Sequence, residues 1–231
     1  MEGEMPDVDK SKRAFEDSVK AILTTFGVFT GFVIKAAIDG IKFKPSSSWL
    51  DSWGTFLDLL LNPHLYICLA TVALLLRFIL GSAVHLNLCY VEEPRSKMPV
   101  MLFKDLAFLI VFGVIAVFMI DAKDNVAAFA ARAGVFVLVG LLWSVVDLAA
   151  RSGQVNVGER SLFSREWTII DLCQLGAILF VLIEVTSDLV GAIILAVGFS
   201  IALYLDMTVV LAARKPADPN APAVAAGGVG Q

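Results

Sequence analysis

The sequence predicts an all-α, polytopic integral membrane protein: six transmembrane helices in a bundle, with an interfacial amphipathic helix after the first span. Three observations carry this. The 231 residues are 58% hydrophobic and 17% charged, against about 45–50% and about 25% in soluble domains. Mean hydropathy is +0.81. Six apolar runs, at residues 21–38, 65–89, 102–120, 126–148, 167–185 and 189–213, come close to or exceed the ~20 residues needed to cross ~30 Å of hydrocarbon. The rest of the chain is short connections and tails, which leaves no room for a separate soluble catalytic domain. A net charge of −4 argues against nucleic acid, whose phosphates select basic surfaces.

The first run is interrupted only by Lys35 and is too long for the apolar region of a signal peptide, so it is read as an uncleaved span. Basic residues on alternate connections test this reading, because cytoplasmic loops retain Lys and Arg. With six spans, one side holds Lys10, Lys12, Arg13, Lys20, Arg95, Lys97, Lys104, Arg151, Arg160, Arg165, Arg214 and Lys215. The other holds only Lys42, Lys44 and Lys123. This asymmetry predicts both termini in the cytoplasm, in a plasma or bacterial inner membrane.

Between the first two spans, Ser46–Ser48 offer helix caps. Trp49, Leu50, Trp53, Phe56, Leu57 and Leu60 then recur at helical spacing against Asp51 and Asp58, which suits a helix lying at headgroup level. The connections at 121–125 and 186–188 are short enough to make spans three and four, and five and six, neighbouring hairpins. Residues 1–13 and the Pro/Ala/Gly-rich stretch 216–231 read as disordered tails flanking a bundle at 14–215. A weak parallel repeat is visible: Asp105-Leu106 and Asp171-Leu172 open spans three and five, and Leu-Ala-Ala-Arg closes spans four and six.

The informative residues are ionisable groups that the hydrophobic thickness forces into the bilayer. Arg77 lies at the centre of the second span, beyond easy snorkelling, so it requires an interior partner. Asp206 in the sixth span, roughly 7 Å deeper by helical rise, is the candidate. Gly81 and His85 share the Arg77 face at successive turns. Asp171 and Glu184 are too close along the fifth span for both to reach water. Arg132 and Asp147 share one face of the fourth span with Phe136 and Trp143. Together these predict an acidic inner vestibule of Asp105, Asp147 and Asp171, an Arg77–Asp206 pair near the midplane, and an outer cluster of Arg132, Glu184, Asp121 and Lys35, the last as a snorkelling side chain. Gly27 and Gly31 form a small-xxx-small spacing suited to helix packing or an oligomer interface.

His64 and His85 stand at opposite ends of one span and cannot clamp a haem. Cys68, Cys89 and Cys173 show no metal-site or redox spacing. No P-loop, GxSxG or HExxH occurs, so neither a cofactor nor a metal is expected and the chain reads as a non-enzyme. The expected function is transport: a protein or channel moving protons, small ions or a small solute through a charge-lined bundle, with the lipid bilayer as its surroundings. The alternative is a scaffold or accessory subunit that binds partner helices, as a homo-oligomer or beside another membrane subunit, through intramembrane charges and the Gly27/Gly31 face.

Overall fold

The computed structural model describes residues 7–39, 41, 49–87, 90, 98–151 and 160–213. Within them lie seven helices and no strand: α1 (Asp7–Asp39), α2 (Trp49–Leu60), α3 (Pro63–Leu86), α4 (Met98–Asp121), α5 (Val126–Arg151), α6 (Arg160–Glu184) and α7 (Asp188–Ala213). All but α2 are long and apolar enough to cross a membrane.

Local chemistry explains where the helices begin. Asn62 caps α3, its side-chain oxygen accepting from the His64 N–H at 3.0 Å, and Pro63 occupies the first helical position, where its missing N–H costs nothing. Asn125 repeats the device for α5 by accepting from the Ala128 N–H at 2.8 Å. The α4–α5 turn is closed by Ala122 N–H to Met119 C=O and Lys123 N–H to Ile120 C=O, both 3.1 Å. His64 Nδ1 lies 3.1 Å from the Lys123 carbonyl, which ties the start of α3 to that turn.

Two helices begin earlier than their apolar runs. α1 extends back to Asp7, so residues 7–13 belong to a helix where the composition predicted a disordered tail. Asp7 and Asp9 suit the positive end of the helix dipole, and neither Gly nor Pro intervenes before Gly27. α6 starts at Arg160 rather than near Trp167, which moves Asp171 well inside the helix. Residues 1–6 and the 216–231 tail lie outside the described residues.

Helix α3 packs most extensively on α7, and α5 on α6, while the α4–α5 and α6–α7 hairpins also pack internally. Helix α1 leans on α3 and α4. Leu74, Leu75, Phe112, Met119, Phe129, Ile178, Leu195 and Phe199 are buried in one continuous core. In a lipid environment the apolar effect does not drive helices together, so close contact at small residues matters more. At Gly191 an added Cβ would stand 3.2 Å from methyl groups of both Val126 and Val181, so any side chain there would have to displace them, and a large one would force α7 away from α5 and α6. Gly27 and Gly31 are the opposite case: nothing lies within 4 Å of their Cβ positions, so their shared face contacts no other described helix of the chain.

Gly191→Leu is expected to force the top of α7 away from α5 and α6 and to destabilise the bundle by about 1–3 kcal/mol. Thermal unfolding in detergent micelles reads this, with Gly27→Leu as a control that changes the midpoint little.

Candidate functional site

A buried arginine organises the interior. Arg77 is only 8% exposed and sits about 21 Å along α3 from Pro63. Its Nε donates to Asp206 Oδ2 on α7 at 2.6 Å, and its Nη1 donates to Asp171 Oδ1 on α6 at 2.6 Å. The same Nη1 also donates to Gln174 Oε1, one turn beyond Asp171 on the same face of α6. One guanidinium thus clamps α3, α6 and α7. Burying an unpaired charge would cost several kcal/mol, and the planar, multidentate geometry of arginine is what lets one cation serve three acceptors.

A second cluster surrounds Asp105 on α4, the most deeply buried of the acids at 1% exposure. Its carboxylate accepts from Tyr90 Oη at 2.6 Å and from Trp143 Nε1 on α5 at 2.9 Å. Lys104 Nζ lies 3.1 Å away and His85 Nε2 3.3 Å away. The His85 ring meets Trp143 edge-on at 5.1 Å and 75°. Asp105 therefore ties the end of α3 to α4 and α5, as Asp171 ties its middle to α6. The two acids that share an Asp-Leu pair both receive a side chain from α3.

Between the clusters lies a cavity of about 60 Å³. Arg77, Asp171 and Asp206 are the ionisable groups that line it, together with Ser82 and Ser144 and an aromatic wall of Phe78, Phe112, Phe136, Trp143 and Trp167. By volume it suits about two water molecules. Two glycines shape it. A Cβ at Gly81 would come 2.9 Å from the Trp167 indole, and a Cβ at Gly140 would touch Asp171 Oδ2 at 3.5 Å. Three buried polar atoms at or beside the cavity have no hydrogen-bond partner: Asp206 Oδ1, Ser82 Oγ and Gln174 Nε2. Buried polar atoms are seldom left unsatisfied, and such exceptions collect where a ligand or water is received.

The arrangement brings Arg77 together with Asp206, as expected, and changes the expected place of Asp171. Asp171 was expected in an inner vestibule beside Asp105. It is instead the second partner of Arg77: about 20 Å along α6 from Glu184, it stands level with Arg77, about 21 Å along α3 from Pro63. His85 lies on the buried face of α3 with Arg77 and Gly81, as its spacing predicted, and two turns beyond Arg77 it meets Asp105. Arg132 was grouped with Asp147 by helical spacing. It reaches across the hairpin, donating to the Phe118 carbonyl and approaching Asp121, its expected neighbour in the outer cluster, at 3.5 Å. The side chains of Asp147, Trp49 and Trp53 lie outside the described residues. Glu184 is exposed at the end of α6, and Lys35 pairs with Asp39 one turn away at the surface.

Gln174, Ser82, Tyr90 and the role of Trp143 escaped a reading confined to charges. The available signal was any hydrogen-bonding side chain on the same face as a forced charge: Gln174 is three residues from Asp171, and Ser82 three from His85. Among the described residues no group of three or more His, Cys, Asp or Glu side chains could hold a metal ion.

Trp143→Phe removes one of the N–H donors on the buried Asp105 carboxylate and is expected to destabilise the protein by about 1–3 kcal/mol. Lys104→Ala, which removes a partly exposed ammonium, is expected to cost less than about 1 kcal/mol. Chemical denaturation in detergent, followed by circular dichroism, ranks the two; the reverse order would show that Asp105 depends on Lys104.

Compared with protein-family models, with curated proteins and with solved structures, the chain finds no match.

Proposed function

We propose that the chain is a multi-pass membrane transport protein that moves protons, small ions or a small solute through the interior of its helical bundle. In this reading the six long apolar helices cross the bilayer with both termini cytoplasmic, and α2 lies at the outer interface. The single observation that carries it is the cavity on the Arg77, Asp171 and Asp206 cluster. An ionisable side chain in a membrane helix is costly, and where three are buried together beside open volume the default reading is a substrate or ion path. The size of the cavity favours protons or a small ion over a large solute.

The second reading is a scaffold or accessory subunit. It draws on α1, the least buried of the six long helices at 17%, whose Gly27 and Gly31 have no described residue within 4 Å of their Cβ positions while Val28 and Phe32 beside them are exposed. Such a face allows close approach of another helix, of a second copy or of a partner subunit. Changing both glycines to isoleucine would then reduce complex size in mild detergent without unfolding the chain.

Flux separates the readings. Wild type reconstituted in liposomes under an imposed potential and pH difference is expected to pass protons or a small cation, and Asp206→Asn is expected to lower that flux at least tenfold while the circular dichroism spectrum is kept. An accessibility probe belongs at Ser82→Cys, because a side chain at Gly81 would collide with Trp167. Reaction of that cysteine with a polar thiol reagent from one side supports a water-reached path. Complete protection together with no flux under any gradient favours the scaffold.

A further inference from the structure

The charge count and walls of the cavity narrow what can enter it. One guanidinium faces two carboxyl groups, so the cluster is one positive charge short of balance when both acids are ionised. Arg77 uses Oδ2 of Asp206 and leaves Oδ1 buried without a hydrogen-bond partner, although Asp206 is only 4% exposed. Ser82, 2% exposed, also lines the cavity with an unpartnered hydroxyl. By helical rise, Ser82 on α3 and Asp206 on α7 lie at nearly the same depth, about 28 Å and about 27 Å from the starts of their helices. A buried anionic oxygen and a buried hydroxyl without partners are what a cationic hydrogen-bond donor would meet.

The rest of the lining decides among cations. A hard divalent metal ion needs roughly six oxygen ligands, and among the described residues no group of three or more His, Cys, Asp or Glu side chains could hold one. An anion would be repelled by the surplus carboxyl group. Aromatic faces instead favour a soft cation carrying N–H or N–C groups, and Phe78, Phe112, Phe136, Trp143 and Trp167 wall the space. We infer that the cavity between α3, α5, α6 and α7 is a binding site for one small ammonium-type cation, ammonium or methylammonium in size. Asp206 Oδ1 and Ser82 Oγ accept its N–H groups, and the aromatic side chains surround the remainder. The inference rests on the transport reading for what the site is used for, and it names the cargo of that same site.

Equilibrium binding tests it separately from flux. Purified protein in lipid nanodiscs is titrated with methylammonium chloride, with sodium and lithium chloride at matched ionic strength as comparisons, following calorimetry and tryptophan fluorescence at constant pH. The expected result is saturable one-to-one binding of methylammonium that sodium and lithium do not displace. Asp206→Asn is expected to weaken it at least tenfold, and Ser82→Ala at least threefold. Should Asp206→Asn fail to fold, Asp206→Glu keeps the charge while moving the oxygen, and it too is expected to weaken binding. No saturable binding, equal binding by the Ser82 and Asp206 variants, or equal displacement by sodium would overturn the inference. Proton flux without methylammonium binding would overturn this assignment and leave the transport reading standing. Methylammonium binding without flux of any kind would do the reverse.

Discussion

The rest of the structure depends on one constraint: an arginine in the middle of an apolar helix has to find acceptors there. Arg77 is too deep in α3 for its side chain to reach the surface, so the surrounding helices bring carboxylates to it. That requirement places Asp171 and Gln174 on the inward face of α6 and Asp206 on the inward face of α7, and it fixes the rotation of all three helices about their axes. Apolar packing alone would tolerate other rotations, because leucine against leucine is nearly indifferent to register. A three-way ion cluster is not, since breaking one arm leaves a buried charge unpaired at a cost of about 3–5 kcal/mol.

The same logic operates about two turns further along α3. His85 and Tyr90 meet Asp105, and Trp143 reaches it from α5. Trp143 also walls the cavity, stacks against Phe108 at 5.7 Å and packs near Phe78 and Phe112. It is therefore shared by the acid cluster at one end and the aromatic core that separates it from Arg77. A change at either cluster would be felt at the other through this side chain, which has its indole N–H committed to one and its ring to the other.

Much of the architecture was legible because it follows from length and hydropathy: the six long helices need little beyond runs of apolar residues, and the short hairpin at 121–125 needs only its length and Asn125. Helix starts were less legible, since charged residues at 7–13 and 160–166 continue a helix as readily as they form a tail. The fifth span itself was placed to within one residue; Asp171 was read from its inner end, while its distance from the outer end makes it level with Arg77. The need of Arg77 for a partner followed from its depth alone. Asp206 was legible as one partner from its depth, but that Asp171 and Gln174 join it depends on helix rotation and neighbour order, which no local pattern encodes. Ser82 and Gln174 were passed over because a neutral polar side chain in an apolar run is weak evidence until something beside it is seen.

The stability of the interior rests on Arg77 being paired with its buried acids, and a charge-deletion series tests this pairing. Thermal unfolding in nanodiscs would be compared for wild type, Arg77→Met, and Arg77→Met combined with Asp171→Asn and Asp206→Asn. Arg77→Met alone is expected to lose about 3–5 kcal/mol, most of it recovered when both acids are neutralised. An Arg77→Met protein as stable as wild type, or a triple variant less stable than the single one, would contradict it.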